Sequence, residues 1–213
     1  MKEKVYTSVF DLNGKELEQF IEKYGDIFEP RHVDFEYYKM YYLGKYDPLI
    51  HIFNSLAQTY EIKNVVYPGS FIHISPSFSF EDVTYIDVYD NIEEFFTEPD
   101  IKKYLNLHKI YKDETKMTFY HKSYTEVMGS YDLIISSNSG SISIDCKHLM
   151  KKGSLLLVNN GHSDADNAFE DDDYNYIGFF KFSGNKEHIS FIIEGERESN
   201  KSNTYYLFEY IGE

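Results

Sequence analysis

Residues Asn159-Asn160-Gly161-His162-Ser163-Asp164-Ala165-Asp166 hold the best candidates for acid–base chemistry in this chain. An imidazole titrates near neutral pH, so His162 can serve as a general base, with Asp164 orienting it. Asn159 and Asn160 offer amide groups to a polar substrate. The competing reading is ordinary turn and cap chemistry, which uses the same residue types. A metal site needs three or more converging ligands, which spacing alone does not establish, and no metal is expected.

Two further groups fall on the same rim if the chain alternates strands and helices. The first is Val65-Val66-Tyr67-Pro68-Gly69-Ser70, followed by Val83-Thr84-Tyr85-Ile86-Asp87. A glycine after a first strand lets backbone approach a ligand, and an acid ending the second strand can accept ribose hydroxyls. Asp87 lies 18 residues after Gly69, near the ~20 typical of dinucleotide folds. The other group is Ser136-Ser137-Asn138-Ser139-Gly140, which can position a polar substrate but contains no good base. A strand end with a solvated acid, and a polar helix-start loop, are the plainer readings of these two groups.

The elements that must position these residues follow from hydrophobic patterning. Leu17, Phe20, Ile21 and Tyr24 recur at helical spacing and end at Gly25. A second helical stretch spans Val33 to Leu43, and Pro48 opens a third through Ala57 to Tyr60. Short strands are then expected at Ile62–Tyr67, Val83–Val88, Met117–His121, Tyr131–Ser136 and Ser154–Asn159. Helical stretches separate them: Ile92 to Leu105, interrupted at Pro99, and Ile142 to Met150, closed by Lys151-Lys152-Gly153. Alternation of this kind implies parallel pairing. Strands at Tyr176–Phe182, His188–Ile193 and Thr204–Tyr210, without intervening helices, should pair antiparallel. Glu170 to Asp173 reads as a solvated charge run, and Glu194 to Asn203 as a polar turn. The fold class is therefore α/β: a doubly wound, mostly parallel Rossmann-like sheet with an antiparallel C-terminal portion. Residues 1–46 form an N-terminal helical extension, and 47–213 the sheet domain.

Over roughly residues 48 to 210 this order resembles the class I S-adenosylmethionine-dependent methyltransferases. Tyr67-Pro68-Gly69 stands at the start of the family's glycine-rich loop, Asp87 at its ribose-binding acid, and Ser123 at its adenine loop. Tyr131-Asp132-Leu133-Ile134-Ile135-Ser136 is similar to its fourth strand. Leu149-Met150-Lys151-Lys152-Gly153-Ser154-Leu155-Leu156 is similar to its "LKPGGLLL" passage. The Tyr67–Phe78 and Val83–Asp87 stretches look like a group of uncharacterised bacterial methyltransferase-like proteins. The resemblance implies S-adenosylmethionine as cofactor, contacted by Tyr67, Gly69, Asp87, Ser123 and Ser136. Asn138, Asn159 and Asn160 would then face a substrate. The chain departs from the family at Tyr67, where an acid is usual, and at Phe71 and His73, where glycines are usual. Ser123 also replaces an acid.

Composition narrows the partners. The formal net charge of −15 disfavours nucleic acid, whose affinity rests on Lys and Arg releasing counterions. Lys102-Lys103 and Lys151-Lys152 are short and scattered. One cysteine, Cys146, excludes a disulfide framework. Met1 to Tyr6 has no signal-peptide apolar region, and no apolar run nears the ~20 residues of a membrane span. A cytoplasmic, soluble protein is expected. The absence of G-x-x-x-x-G-K-[ST] and G-x-S-x-G argues against P-loop and α/β-hydrolase chemistry. The 21 Tyr and 17 Phe are expected mainly in the core. The Tyr-rich run Tyr37–Tyr46 could also line a site, as a lid or as packing on the sheet. Three functions follow: methyl transfer to a small molecule, a binding or interaction module on the same fold that has lost its cofactor, or a site for a different nucleotide in the same crevice.

Overall fold

The computed structural model describes residues 7–43, 47–182, 189–193 and 204–212. His188, the turn at Glu194–Asn203, the Met1–Tyr6 segment and the end of the Tyr37–Tyr46 run lie outside the described residues.

Eight strands form one sheet in the order β3-β2-β1-β4-β5-β8-β6-β7. Strands β1 (Val65–Pro68), β2 (Asp82–Asp87), β3 (Lys116–His121), β4 (Tyr131–Ser136) and β5 (Met150–Asn159) pair in parallel. Strands β6 (Tyr174–Phe182), β7 (Ile189–Ile193) and β8 (Tyr205–Tyr210) close the sheet in antiparallel pairing, with β8 against β5. This is the doubly wound, mostly parallel sheet with an antiparallel C-terminal portion that the alternation implied.

Both faces of the sheet are covered, as its continuous apolar strands require. Residues Val65, Tyr67, Val83, Tyr85, Leu133, Ile135, Leu155 and Leu157 enter one buried cluster. Their neighbours Val66, Ile86, Ile134, Leu156 and Val158 enter the other. The first cluster packs under helices α1 (Gly14–Tyr24), α2 (Phe35–Tyr38), α3 (Leu49–Thr59), α4 (Glu93–Thr97) and α5 (Pro99–His108). A π-turn, Lys39–Leu43, continues α2. The second packs under the shorter α6 (Ile142–Asp145) and α7 (Asp164–Glu170). Tyr37, Tyr38, Tyr85, Phe95 and Phe180 are fully buried, so much of the aromatic content is core. No helix among the described residues is long and apolar enough to cross a membrane.

One passage differs from expectation. The helix anticipated over Ile142–Met150 stops at Asp145, a 3-10 turn follows at Lys147–Leu149, and β5 begins at Met150. Lys151-Lys152-Gly153 is thus strand, not a helix stop. Met150 pairs with Tyr131 and Leu155 with Leu133, so the extra residues between them bulge from the ladder. Gly153 takes φ +91 there. Ser154 holds the bulge, its Oγ accepting from the Lys151 amide at 3.0 Å and donating to the Tyr131 carbonyl at 2.6 Å. At the other end of the region, Glu170 to Asp173 is not merely solvated. Lys147 pairs with Asp171 at 2.7 Å and Asp173 at 2.6 Å.

Candidate functional site

The sheet order reverses between β1 and β4, and the loops following both strands open on one edge. A crevice is expected at such a switch point. A cavity of about 630 Å3 occupies it. It is lined by Tyr67, Gly69, Phe71, Asp87, Tyr89, Ser137, Asn138 and Tyr205. Asp47 at the start of the sheet domain lines it too, as do Phe28, Tyr41 and Tyr42 of the N-terminal part. That part therefore does two things, since Phe20, Tyr24 and Tyr37 lie in the common core.

Gly69 needs to be glycine, though not for a ligand's approach. Its φ is +61, a region that disfavours a side chain. A Cβ there would lie 2.4 Å from the Ser139 Cβ, because the β1 and β4 loops touch. The loop's amides are turned inward. Gly69 and Ser70 donate to the Ile86 carbonyl at 2.8 and 3.3 Å, and His73 donates to the Ser70 carbonyl at 3.0 Å. Phe71, at φ +46, donates to Asp87 Oδ2 at 2.6 Å. Asp87 Oδ1 accepts the Tyr89 amide at 2.8 Å. Each oxygen keeps further lone pairs for a ligand.

A hydrogen-bonded chain lies under Phe71. His73 is 5% exposed, and its Nε2 donates to Asp47 Oδ2 at 2.7 Å. Its Nδ1 lies 3.1 Å from the Tyr67 hydroxyl, within hydrogen-bond reach. Asp47 also accepts from Ser75 Oγ at 2.5 Å and the Leu49 amide at 3.0 Å. Burial raises the Asp47 carboxyl, but His73, Ser75 and the amide outweigh it and hold it below the usual carboxylate range. Tyr42 stacks on His73 with centroids 4.9 Å apart and planes 12° apart. Burial keeps the Tyr67 hydroxyl well above the ordinary phenol range, so it stays protonated. Beside it, Ser137 Oγ and the Tyr205 hydroxyl share a bond of 2.6 Å.

Of the residues singled out from sequence, Tyr67, Gly69, Ser70, Phe71, His73, Asp87, Ser137 and Asn138 line the crevice. His162, Asp164, Ser123, Ser136, Asn159 and Asn160 do not. His162 is exposed on a left-handed turn at φ +56, with no hydrogen bond or ion pair to any of the described residues. The anticipated His162–Asp164 pair is absent. Asp164 is fully buried and accepts from Ser136 Oγ at 2.5 Å and from the Ser143 amide and Oγ at 2.9 and 2.6 Å. Burial raises its carboxyl despite these donors. It ties β4 to α6 and α7, which also removes Ser136 from the crevice. Asn160 bonds the first turn of α7, accepting from the Asp166 amide at 3.0 Å and donating to Asp166 Oδ2 at 3.1 Å. Asn159 is buried behind Asn138, joined through Nδ2 to Asn138 Oδ1 at 3.0 Å. Ser123 caps the turn at Tyr124–Glu126, away from the crevice.

Sequence reasoning missed Asp47, Tyr89 and Tyr205, and took His73 only as a lost glycine. Asp47-Pro48 reads locally as a helix start, and Tyr205 as one core aromatic among many. Only the pairing of β8 with β5 brings Tyr205 to Ser137. Among the described residues no group of three acids, histidines or cysteines is placed to hold a metal ion.

Comparison with known proteins gives a fold. No family model matches the chain, and no curated protein matches it. Among solved structures, a Staphylococcus aureus protein assigned as a caffeoyl-CoA O-methyltransferase is 12% identical. The match covers 92% of this chain and 93% of that one, with a TM-score of 0.51. A tRNA methyltransferase from M. jannaschii is 13% identical over 79% of this chain and 49% of its own, with a TM-score of 0.49. The chain spans about half the length of that structure. An rRNA methylase from Streptococcus thermophilus is 10% identical over 78% and 98%, with a TM-score of 0.45. With strand order and the first of these likenesses agreeing, the chain has the fold of the class I S-adenosylmethionine-dependent methyltransferases.

Proposed function

We propose that this chain is a small-molecule binding protein on a methyltransferase fold, whose crevice does not take S-adenosylmethionine. The observation that carries this reading is the loop after β1. S-adenosylmethionine has a carboxylate at its methionine end, which needs amides or a basic side chain. Here four loop amides already donate within the protein, to Ile86, Asp87 and Ser70. The space beside Gly69 is filled by Ser139, and buried His73 replaces a loop glycine. Among the described residues no Lys or Arg lines the crevice. The donor set therefore does not fit the group.

A small molecule fits better than nucleic acid. The lining contains Asp47 and Asp87, and like charge would repel a phosphate backbone. The catalytic roles expected for His162 and Asp164 have no support in the geometry. One observation favours the alternative of methyl transfer to a small molecule: Asp87 does face the crevice, at the end of β2.

Calorimetric titration with S-adenosylmethionine separates the two. We expect no heat and no thermal shift at millimolar ligand. Saturable binding abolished by Asp87→Ala would establish the methyltransferase reading instead.

A further inference from the structure

The crevice has a chemical character that names a ligand class. We propose that it is a site for a small organic cation, a primary or quaternary ammonium, held between the Asp87 carboxylate and the rings of Tyr41, Phe71 and Tyr89. This deepens the reading of the crevice as a small-molecule site and rests on it.

Charge comes first. The crevice carries two carboxylates, and they differ in what they have. Asp47 is satisfied by His73, Ser75 and the Leu49 amide. Asp87 receives two backbone amides, from Phe71 and Tyr89, and no cation. Among the described residues no Lys or Arg faces it across the cavity. A carboxylate at the edge of a low-dielectric cleft attracts a counter-charge more strongly than one in open water.

Ring arrangement comes second. Phe71 meets Tyr89 at 5.3 Å with planes at 77°, and meets Tyr41 at 6.2 Å with planes at 70°. All three line the cavity. The rings therefore meet edge to face instead of stacking. A cation within roughly 6 Å of several ring faces is attracted by their quadrupoles, which is how aromatic cages hold quaternary ammonium groups. An anion in the same place would meet the rings and both acids as repulsion. A neutral ligand would gain apolar burial alone.

Titration of the full chain with tetramethylammonium and with choline, in low salt, tests this. The readout is tyrosine fluorescence together with proton NMR of the ring signals; the chain has no tryptophan to obscure the first. 3,3-Dimethylbutanol serves as the neutral isostere of choline. We expect saturable binding of both cations in the millimolar range or tighter, with the isostere at least tenfold weaker. Asp87→Asn should weaken cation binding at least tenfold and leave the isostere unchanged. Tyr41→Leu, which touches neither hydrogen bond of Asp87, should weaken the cations several-fold. Equal binding of choline and its isostere overturns the cation assignment while leaving the crevice a ligand site. Absence of any saturable response overturns it outright. Binding of S-adenosylmethionine, in contrast, overturns only the proposed loss of cofactor.

Discussion

Replacing Gly69 by alanine distinguishes a glycine kept for the protein's own packing from one kept for a ligand. At φ +61 a residue with a Cβ costs ~1–2 kcal/mol in backbone strain. The added Cβ would stand 2.4 Å from Ser139 Cβ, against the ~3.5–4.0 Å of an ordinary carbon contact. Relieving more than an ångström of overlap between two loops costs a further ~1–3 kcal/mol. Gly69→Ala should therefore destabilise the fold by ~2–5 kcal/mol. Ser139→Gly alone should cost ~1 kcal/mol, from chain flexibility and two weak hydrogen bonds. The double variant removes the Cβ–Cβ clash and leaves the strain. Its loss should fall short of the summed single losses by ~1–3 kcal/mol. Urea unfolding followed by circular dichroism measures all four corners of the cycle. Additivity within about 0.5 kcal/mol would refute the packing argument. So would a Gly69→Ala cost no larger than the ~1–2 kcal/mol of backbone strain, because a glycine reserved for a ligand has free space beside it in the unliganded protein.

Other outcomes follow from the same structure. Asp164→Ala strands the donors of Ser136 and Ser143 and should cost ~2–4 kcal/mol in chemical denaturation. His162→Gly should be neutral or stabilise by up to ~1 kcal/mol, since it relieves a left-handed residue on an exposed turn. Asp47→Ala should destabilise by ~3 kcal/mol at pH 7 through the loss of the His73 contact. The Asp47 carboxyl is held below its unfolded value, so its stabilisation is full above that value and lost as pH falls through the folded one. Urea midpoints measured from pH 6 to pH 3 should accordingly fall less steeply in Asp47→Asn than in the parent. Burial pushes the Cys146 thiol up to about 12. It should resist a thiol-directed disulfide reagent at pH 8 until denaturant is added, and rapid labelling of the native chain would contradict its burial.

The sequence by itself determined the sheet and its class. Alternating apolar strands and helical stripes are short-range signals, so β4 at Tyr131–Ser136 was legible residue for residue, and the break at Pro99 divides α4 from α5 as expected. The antiparallel tail followed from strands with too little chain between them for a crossover. Lys151-Lys152-Gly153 misled because a lysine pair before glycine satisfies a helix end locally. The pairing of Met150 with Tyr131 made it a bulged strand instead. Gly69, Asp87, Tyr67 and Asn138 were readable as rim residues because strand ends are readable. Which side chains meet across that rim was decided only by tertiary structure. Asp164 faces Ser136 and Ser143 instead of His162, and Asp47 reaches His73 across 26 positions of chain. The same holds for the crevice, which Tyr41 and Tyr89 both line although 48 positions separate them in the chain. Residue type and spacing say what a group can do; burial and the nearest partner, fixed by packing of distant segments, decide what it does.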